Sequence, residues 1–171
     1  GFIFPRWGPQ LVHGYGYPVF NYFPYLSHYF IVITHLLTGI SLVWSYKVVA
    51  VLVVYITFLG AFLLGRDLYE DENSGIFTAV SFVYSPYLLM TNNIRGGLPE
   101  AFALASLPFC LWAWVRLIRG ERIFVIWAGI TYAVMILSHN GSAVQISILI
   151  VMYALFYGRN QIVFVVKQLC I

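Results

Sequence analysis

The sequence predicts an all-α, polytopic transmembrane protein with about five crossings and one interfacial or juxtamembrane helix. Three observations predict it. Of its 171 residues, 61% are hydrophobic and only 9% are charged, with a mean hydropathy of +0.86, whereas soluble domains carry about 25% charged residues. The apolar residues fall in runs close to the roughly 20 that a helix needs to cross a bilayer. The few charges gather in short connections between those runs. The net charge of +3 is small and the basic residues form no stripe, which argues against nucleic acid as a partner. Cys110 and Cys170 lie in apolar runs. They suggest neither a disulfide framework nor a metal knuckle and read as packing residues.

The elements follow in order. Residues 1–24 form an aromatic loop, Phe4-Pro5-Arg6-Trp7-Gly8-Pro9 and then Gly14-Tyr15-Gly16-Tyr17-Pro18, too rich in Gly and Pro for a regular element. Residues 25–171 form the helical membrane domain. Tyr25–Ser45 is apolar but interrupted by His28, Thr34, His35, Thr38, Gly39 and Ser41; it either crosses or lies along the interface. Val48–Gly65 is an uncharged span and Arg66–Asn73 a mostly acidic loop. Gly75–Thr91 is the next span, kinked near Pro86. Asn92–Leu98 is a loop. Pro99–Val115 spans, with proline at a favourable first position. Arg116–Arg122 is a basic loop, Ile123–Leu137 a span, Ser138–Gly141 a tight turn and Ser142–Tyr157 a span. Another apolar segment begins at Gln161. The chain opens in a loop and stops inside that segment, so it reads as the interior portion of a longer membrane protein.

Orientation follows from Arg116, Arg119 and Arg122, which mark one connection as cytoplasmic. Parity puts Arg66 and Arg159 on the same side, and Asn92–Leu98 and Ser138–Gly141 on the outer side. If Tyr25–Ser45 lies in the interface, the 1–24 loop is outer as well.

Few residues carry chemistry. Arg95 and Glu100 flank a Gly-Gly-Leu-Pro turn beside apolar sequence, where ionisable groups are costly and therefore functional candidates. They read either as an ion pair holding the loop, or as a phosphate-binding guanidinium beside a general base or a ligand for a cation or sugar hydroxyl. His139-Asn140-Gly141 reads as a helix stop with a left-handed glycine, or as a polar contact in the same outer cavity. Arg6, Trp7, Tyr15 and Tyr17 suit interfacial anchoring, or aromatic faces for a sugar or polyprenyl chain with Arg6 near its phosphate. His28 and His35 share a helix face, as packing residues or as axial ligands to a haem or chlorin. The sequence contains no nucleophile elbow, P-loop, zinc motif or dinucleotide fingerprint.

Several blocks coincide with a known pattern: Pro5-Arg6-Trp7, the run from Gly14 to Pro24, Tyr84-Ser85-Pro86-Tyr87, Arg95-Gly96-Gly97-Leu98-Pro99-Glu100 and Ser138-His139-Asn140. In order and spacing the chain resembles prokaryotic membrane proteins labelled 6-pyruvoyl-tetrahydropterin synthase-related, a label that implies no pterin chemistry. These in turn resemble the GT-C class of polytopic glycosyltransferases. The resemblance implies a GT-C-like fold in a prokaryotic plasma membrane. It implies a polyprenyl-phosphate sugar donor used at the outer face. It also implies a juxtamembrane helix at Tyr25–Ser45 and a late acidic residue at Glu100, with Arg95 and His139 facing the donor phosphate. The first-loop acidic residue of that class would lie upstream of Gly1, because the first acidic residue here is Asp67.

Two functional readings follow. One is a fragment of such a glycosyltransferase, with Glu100 catalytic, Arg95, His139, Asn140, Arg6, Trp7, Tyr15 and Tyr17 binding substrate, and a divalent cation as the candidate cofactor. The other is a non-catalytic accessory subunit of an energy-transducing or photosynthetic membrane complex, with pigment or haem at the histidines and other membrane subunits as partners.

Overall fold

The computed structural model describes residues 7–18 and 24–157. Arg6, Cys170 and the segment from Gln161 lie outside the described residues. Among those described, the chain is all-helical, with seven α-helices, one π turn and a lone antiparallel bridge between Gly8 and Tyr17.

Helix α1 spans Leu26–Thr38 and ends at Gly39, whose φ of 71° is left-handed, a conformation glycine adopts without steric cost. The Gly39 N–H closes onto the His35 carbonyl, and His35 Nδ1 meets the Ile40 carbonyl at 2.5 Å. Ser41 then caps the next helix by accepting from the Trp44 N–H. The stretch Tyr25–Ser45 is therefore two elements rather than one. At a rise of 1.5 Å per residue the 13 residues of α1 reach about 20 Å, short of the roughly 30 Å hydrocarbon core.

Helix α2, Leu42–Tyr69, runs 28 residues. It absorbs Arg66 and Asp67, which the sequence places in a loop; the Asp67 carboxylate finds cover on a neighbouring helix and keeps the last turn wound. Glu70, at φ 56°, ends α2, and Asp71 caps α3 (Glu72–Val83) by accepting from the Ser74 N–H at 2.7 Å. The expected span Gly75–Thr91 is broken. Ser85 is extended (ψ 134°) before Pro86, because proline disfavours the helical conformation in its predecessor and donates no N–H. A one-turn α4, Pro86–Leu89, and a π turn, Met90–Ile94, follow. Helix α5 is Leu98–Ile118, α6 is Phe124–Ser138 and α7 is Asn140–Tyr157. Among the described residues, α2 and α5 are both long and apolar enough to cross a membrane; α1, α6 and the Asn140–Met152 part of α7 are apolar but shorter.

Helix α5 is the hub. Its Leu98, Ala101 and Ala105 pack with Val49 and Val53 of α2 and with Ile31 of α1. Its Ala103 and Cys110 pack with Met135 of α6 and Ala143, Ile146 and Ile150 of α7. The run of alanines lets backbones approach, as membrane-helix interfaces require. Helices α2 and α3 are closer still: a Cβ added at Gly65 would lie 2.4 Å from Thr78 Oγ1 and 2.9 Å from the Ser74 carbonyl.

This packing sorts the polar residues to two ends. At one, Asp67 accepts from Trp112 Nε1 (2.6 Å) and Arg66 Nε (2.9 Å) and lies 3.6 Å from Arg116. Arg116 also pairs with Glu121, and Arg119 with Glu70. Arg66, Arg116 and Arg119 thus share an end, as parity expects. Arg95, Glu100 and His139 occupy the other.

Candidate functional site

The site begins with the broken third span. Proline at the start of α4 turns Tyr87 toward the first turn of α5, where its hydroxyl donates to Glu100 Oε1. The π turn then carries the chain to Arg95, whose N–H bonds the Met90 carbonyl five residues back; such turns recur at functional sites. Gly96, at φ 62°, reverses direction in the left-handed region, and the Gly97 N–H returns to the Thr91 carbonyl at 2.9 Å. The reversal brings Arg95 Nη1 to 3.2 Å from Glu100 Oε2. Both carboxylate oxygens are therefore engaged, by a phenol from α4 and a guanidinium from the π turn.

Burial divides this constellation. Glu100 is 8% exposed, whereas the Arg95 side chain is 49% exposed. The half-exposed guanidinium, beside Glu100 and the Tyr87 hydroxyl, still has N–H donors of its five open to another partner. Behind the carboxylate, Thr91 is fully buried, and neither its Oγ1 nor Asn92 Oδ1 has a hydrogen-bond partner. The two glycines serve packing as well as the turn. A Cβ at Gly96 would come 3.4 Å from Tyr46 Oη of α2, and one at Gly97 3.3 Å from Thr91 Cγ2 and 3.6 Å from Glu100 Oε2. Phe102, just past Glu100 on α5, packs against Phe30 of α1 with ring centroids 5.3 Å apart, so α1 lies against the same end.

His139 reaches this end by a different route. It is the one residue between α6 and α7, extended at φ −161°, and Gly141 lies inside α7 rather than in the left-handed turn the sequence suggests. The His139 ring is the helix cap. Its Nδ1 accepts from the Ser142 N–H at 3.1 Å and meets Ser142 Oγ at 2.8 Å. A backbone N–H can only donate, so Nδ1 is the unprotonated nitrogen and Nε2 carries the proton. His139 is thereby a fixed N–H donor. Ala103, one turn beyond Glu100, packs with Met135 and Ala143 on either side of His139, which sets the two residues at one end of the bundle. Asn140 is exposed in the first turn of α7.

The N-terminal loop is a separate turn structure. Gly8 and Tyr17 exchange N–H and carbonyl bonds of 2.9 and 3.1 Å, and the Trp7 indole lies so close over Gly16 that a Cβ there would sit 2.4 Å from Nε1. Trp7, Tyr15 and Tyr17 are exposed, Tyr15 most of all at 85%. Among the described residues the loop's hydrogen bonds are internal. The sequence-predicted set thus divides: Arg95, Glu100 and His139 share an end, Trp7, Tyr15 and Tyr17 form their own surface, and Arg6 lies outside the described residues. Tyr87, which the sequence reading places in the Tyr84–Tyr87 block without a role, and Tyr46, which it does not single out, are neighbours of Glu100 and Gly96. Among the described residues no three His, Cys, Asp or Glu side chains group as metal ligands.

Comparison with known proteins gives one family. The profile of the dolichyl-phosphate-mannose-protein mannosyltransferases matches residues 23–170. No curated protein and no solved structure matches the chain.

Proposed function

Because the chain belongs to the dolichyl-phosphate-mannose-protein mannosyltransferase family, we propose that it forms part of an integral membrane glycosyltransferase that takes mannose from a polyprenyl-phosphate donor. The observation that carries this reading is the buried Glu100 carboxylate beside the half-exposed Arg95 guanidinium, at the end of the bundle away from the Arg116–Arg122 loop. In this reading that end is the outer face, and α1 is a juxtamembrane helix lying against it. Helices α2, α5, α6 and α7 and the broken α3–α4 segment make up five crossings of a prokaryotic plasma membrane.

The chemistry follows from the groups. An acceptor hydroxyl attacks the anomeric carbon, the bond from that carbon to the phosphate oxygen breaks, and the polyprenyl phosphate leaves with the electron pair. Arg95 and the His139 Nε2–H donate to its developing charge, the kind of fixed electrostatic stabilisation that lowers such barriers. Glu100 accepts the hydroxyl proton. Asn140 supplies a further hydrogen bond, and Trp7, Tyr15 and Tyr17 offer faces for sugar or prenyl groups, with Arg6 beside the phosphate. A divalent cation would find Glu100 as its carboxylate at this end. No observation favours the accessory-subunit reading.

Replacing Glu100 by Gln tests the reading. Transfer of labelled mannose from a polyprenyl-phosphate donor should be abolished while the full-length protein remains folded in detergent. Full transfer by E100Q removes Glu100 from the mechanism.

A further inference from the structure

We propose that Tyr87 is a positioning residue that keeps Glu100 oriented while Arg95 moves from the carboxylate to the donor phosphate. The inference rests on the glycosyltransferase reading above and deepens it.

The geometry separates the two partners of Glu100. Oε1 takes the Tyr87 hydroxyl and Oε2 takes Arg95. Tyr87 is itself 53% exposed, but its backbone sits in α4 beside the buried Leu88 (2% exposed) and after a proline that sets the helix start. Arg95 ends the π turn on a loop of two glycines, with half of its side chain exposed. Both side chains are about half exposed, and the tether separates them: the phenol hangs by two side-chain torsions from a proline-set turn, the guanidinium by four from a loop with two glycines. An approaching phosphate is a better partner for a guanidinium than a carboxylate already sharing its charge with a phenol, because it offers several strong acceptors in a matching plane. When Arg95 leaves, Oε2 loses its cation and opens toward the acceptor hydroxyl. The carboxylate does not rotate away, because Oε1 is still held. Base activation is thereby coupled to donor binding, and the broken helix has a reason: a continuous α3 would carry no phenol to this point.

Kinetics of the full-length protein with polyprenyl-phosphate mannose as varied substrate test this. Y87F should lower kcat roughly 10- to 100-fold, the range for losing a hydrogen bond to a charged group, with donor KM within twofold of wild type. R95K should instead raise donor KM. A role limited to fold stability would reduce the amount of active enzyme without producing that split. E100D, one methylene shorter and out of Tyr87's reach, gives the second arm: adding Y87F to E100D should change kcat by less than twofold, the non-additivity expected of residues acting as a unit. The proposal is overturned if Y87F keeps wild-type kcat while E100Q is inactive, or if Y87F and E100D losses multiply. An active E100Q would instead overturn the parent reading, so the two failures are distinguishable.

Discussion

Asp67→Ala removes the carboxylate that ties α2 to α5, and the structure gives its cost. Asp67 is 7% exposed and accepts from Trp112 Nε1 at 2.6 Å across 45 residues of sequence. Losing a hydrogen bond to a charged group costs about 1.5–3 kcal/mol. Its second partner, Arg66, is adjacent in sequence and 39% exposed, so water replaces most of what it loses and its share is below about 1 kcal/mol. Arg116 at 3.6 Å is beyond hydrogen-bond range and keeps Glu121 at 3.0 Å. The sum is about 1.5–4 kcal/mol, most of it through the indole. Denaturant unfolding in detergent micelles measures it. Trp112→Phe should cost about 1–3 kcal/mol alone, and the double variant should fall short of the summed single costs by about 1–2 kcal/mol. An Asp67→Ala loss under about 0.5 kcal/mol, or additivity in the double variant, would refute the account.

Three further outcomes follow. Gly65→Val drives a side chain into Thr78 Oγ1 and the Ser74 carbonyl; overpacking of this kind costs about 1–3 kcal/mol, and wild-type thermal stability in that variant would show that α2 and α3 are not so closely packed. The Ser74 N–H bond holds the Asp71 carboxyl below its ordinary value, so this cap stabilises above the unfolded value near about 3.9 and is lost as pH falls through the lower folded one. Melting temperature should therefore drop less steeply on acidification in Asp71→Asn, whose uncharged side chain still caps, than in wild type; parallel acid limbs would contradict this. His139→Ala should lose about 1 kcal/mol of cap and weaken donor binding, whereas His139→Asn should restore stability but not donor KM, and restoration of both would assign His139 to structure alone.

The sequence made the helical class and the two-ended arrangement legible, because both rest on composition and parity. The local punctuation was also present. Gly39 followed by Ser41 is a helix stop and a helix cap two residues apart, and Asp71 three residues before Ser74 is a cap. Unbroken hydropathy hid the first: Leu36, Leu37, Leu42 and Val43 surround the break, all of them exposed, so the apolar run continues where the helix does not. Arg66 and Asp67 read as loop because charge ends apolar runs, yet a buried carboxylate with an indole partner stays helical. That partner lies 45 residues away, and Tyr87 lies 13 residues from Glu100 across a break. No periodicity reports such pairs, since nothing but the packing of α5 brings them together. The Glu100 end stands out in the sequence because its charges sit in apolar surroundings; Tyr87 lies in one of the blocks that carry the family resemblance but has no charge to single it out.

Charge placement distinguishes the two ends as candidate anion sites, against first impression. The Arg116–Arg122 connection looks basic, but its end of the bundle also holds Asp67, Glu70, Asp71, Glu72 and Glu121. Among the described residues that is five carboxylates against four guanidinium groups, with Arg66, Arg116 and Arg119 each in an ion pair. An arriving phosphate would have to break pairs and face a surplus of negative charge. At the other end Glu100 is the single carboxylate among the described residues, set against Arg95 and Lys47, and the Lys47 ammonium rests 4.4 Å from the Trp44 ring, an interaction that leaves a cation charged and exposed. The His139 Nε2–H adds a neutral donor. In the proposed reading, a singly charged phosphodiester headgroup therefore meets net attraction at the end that holds the buried carboxylate, among the described residues. Reversing that balance with Lys47→Glu should weaken donor binding with a salt dependence that the wild type lacks in sign, rising rather than falling as ionic strength increases.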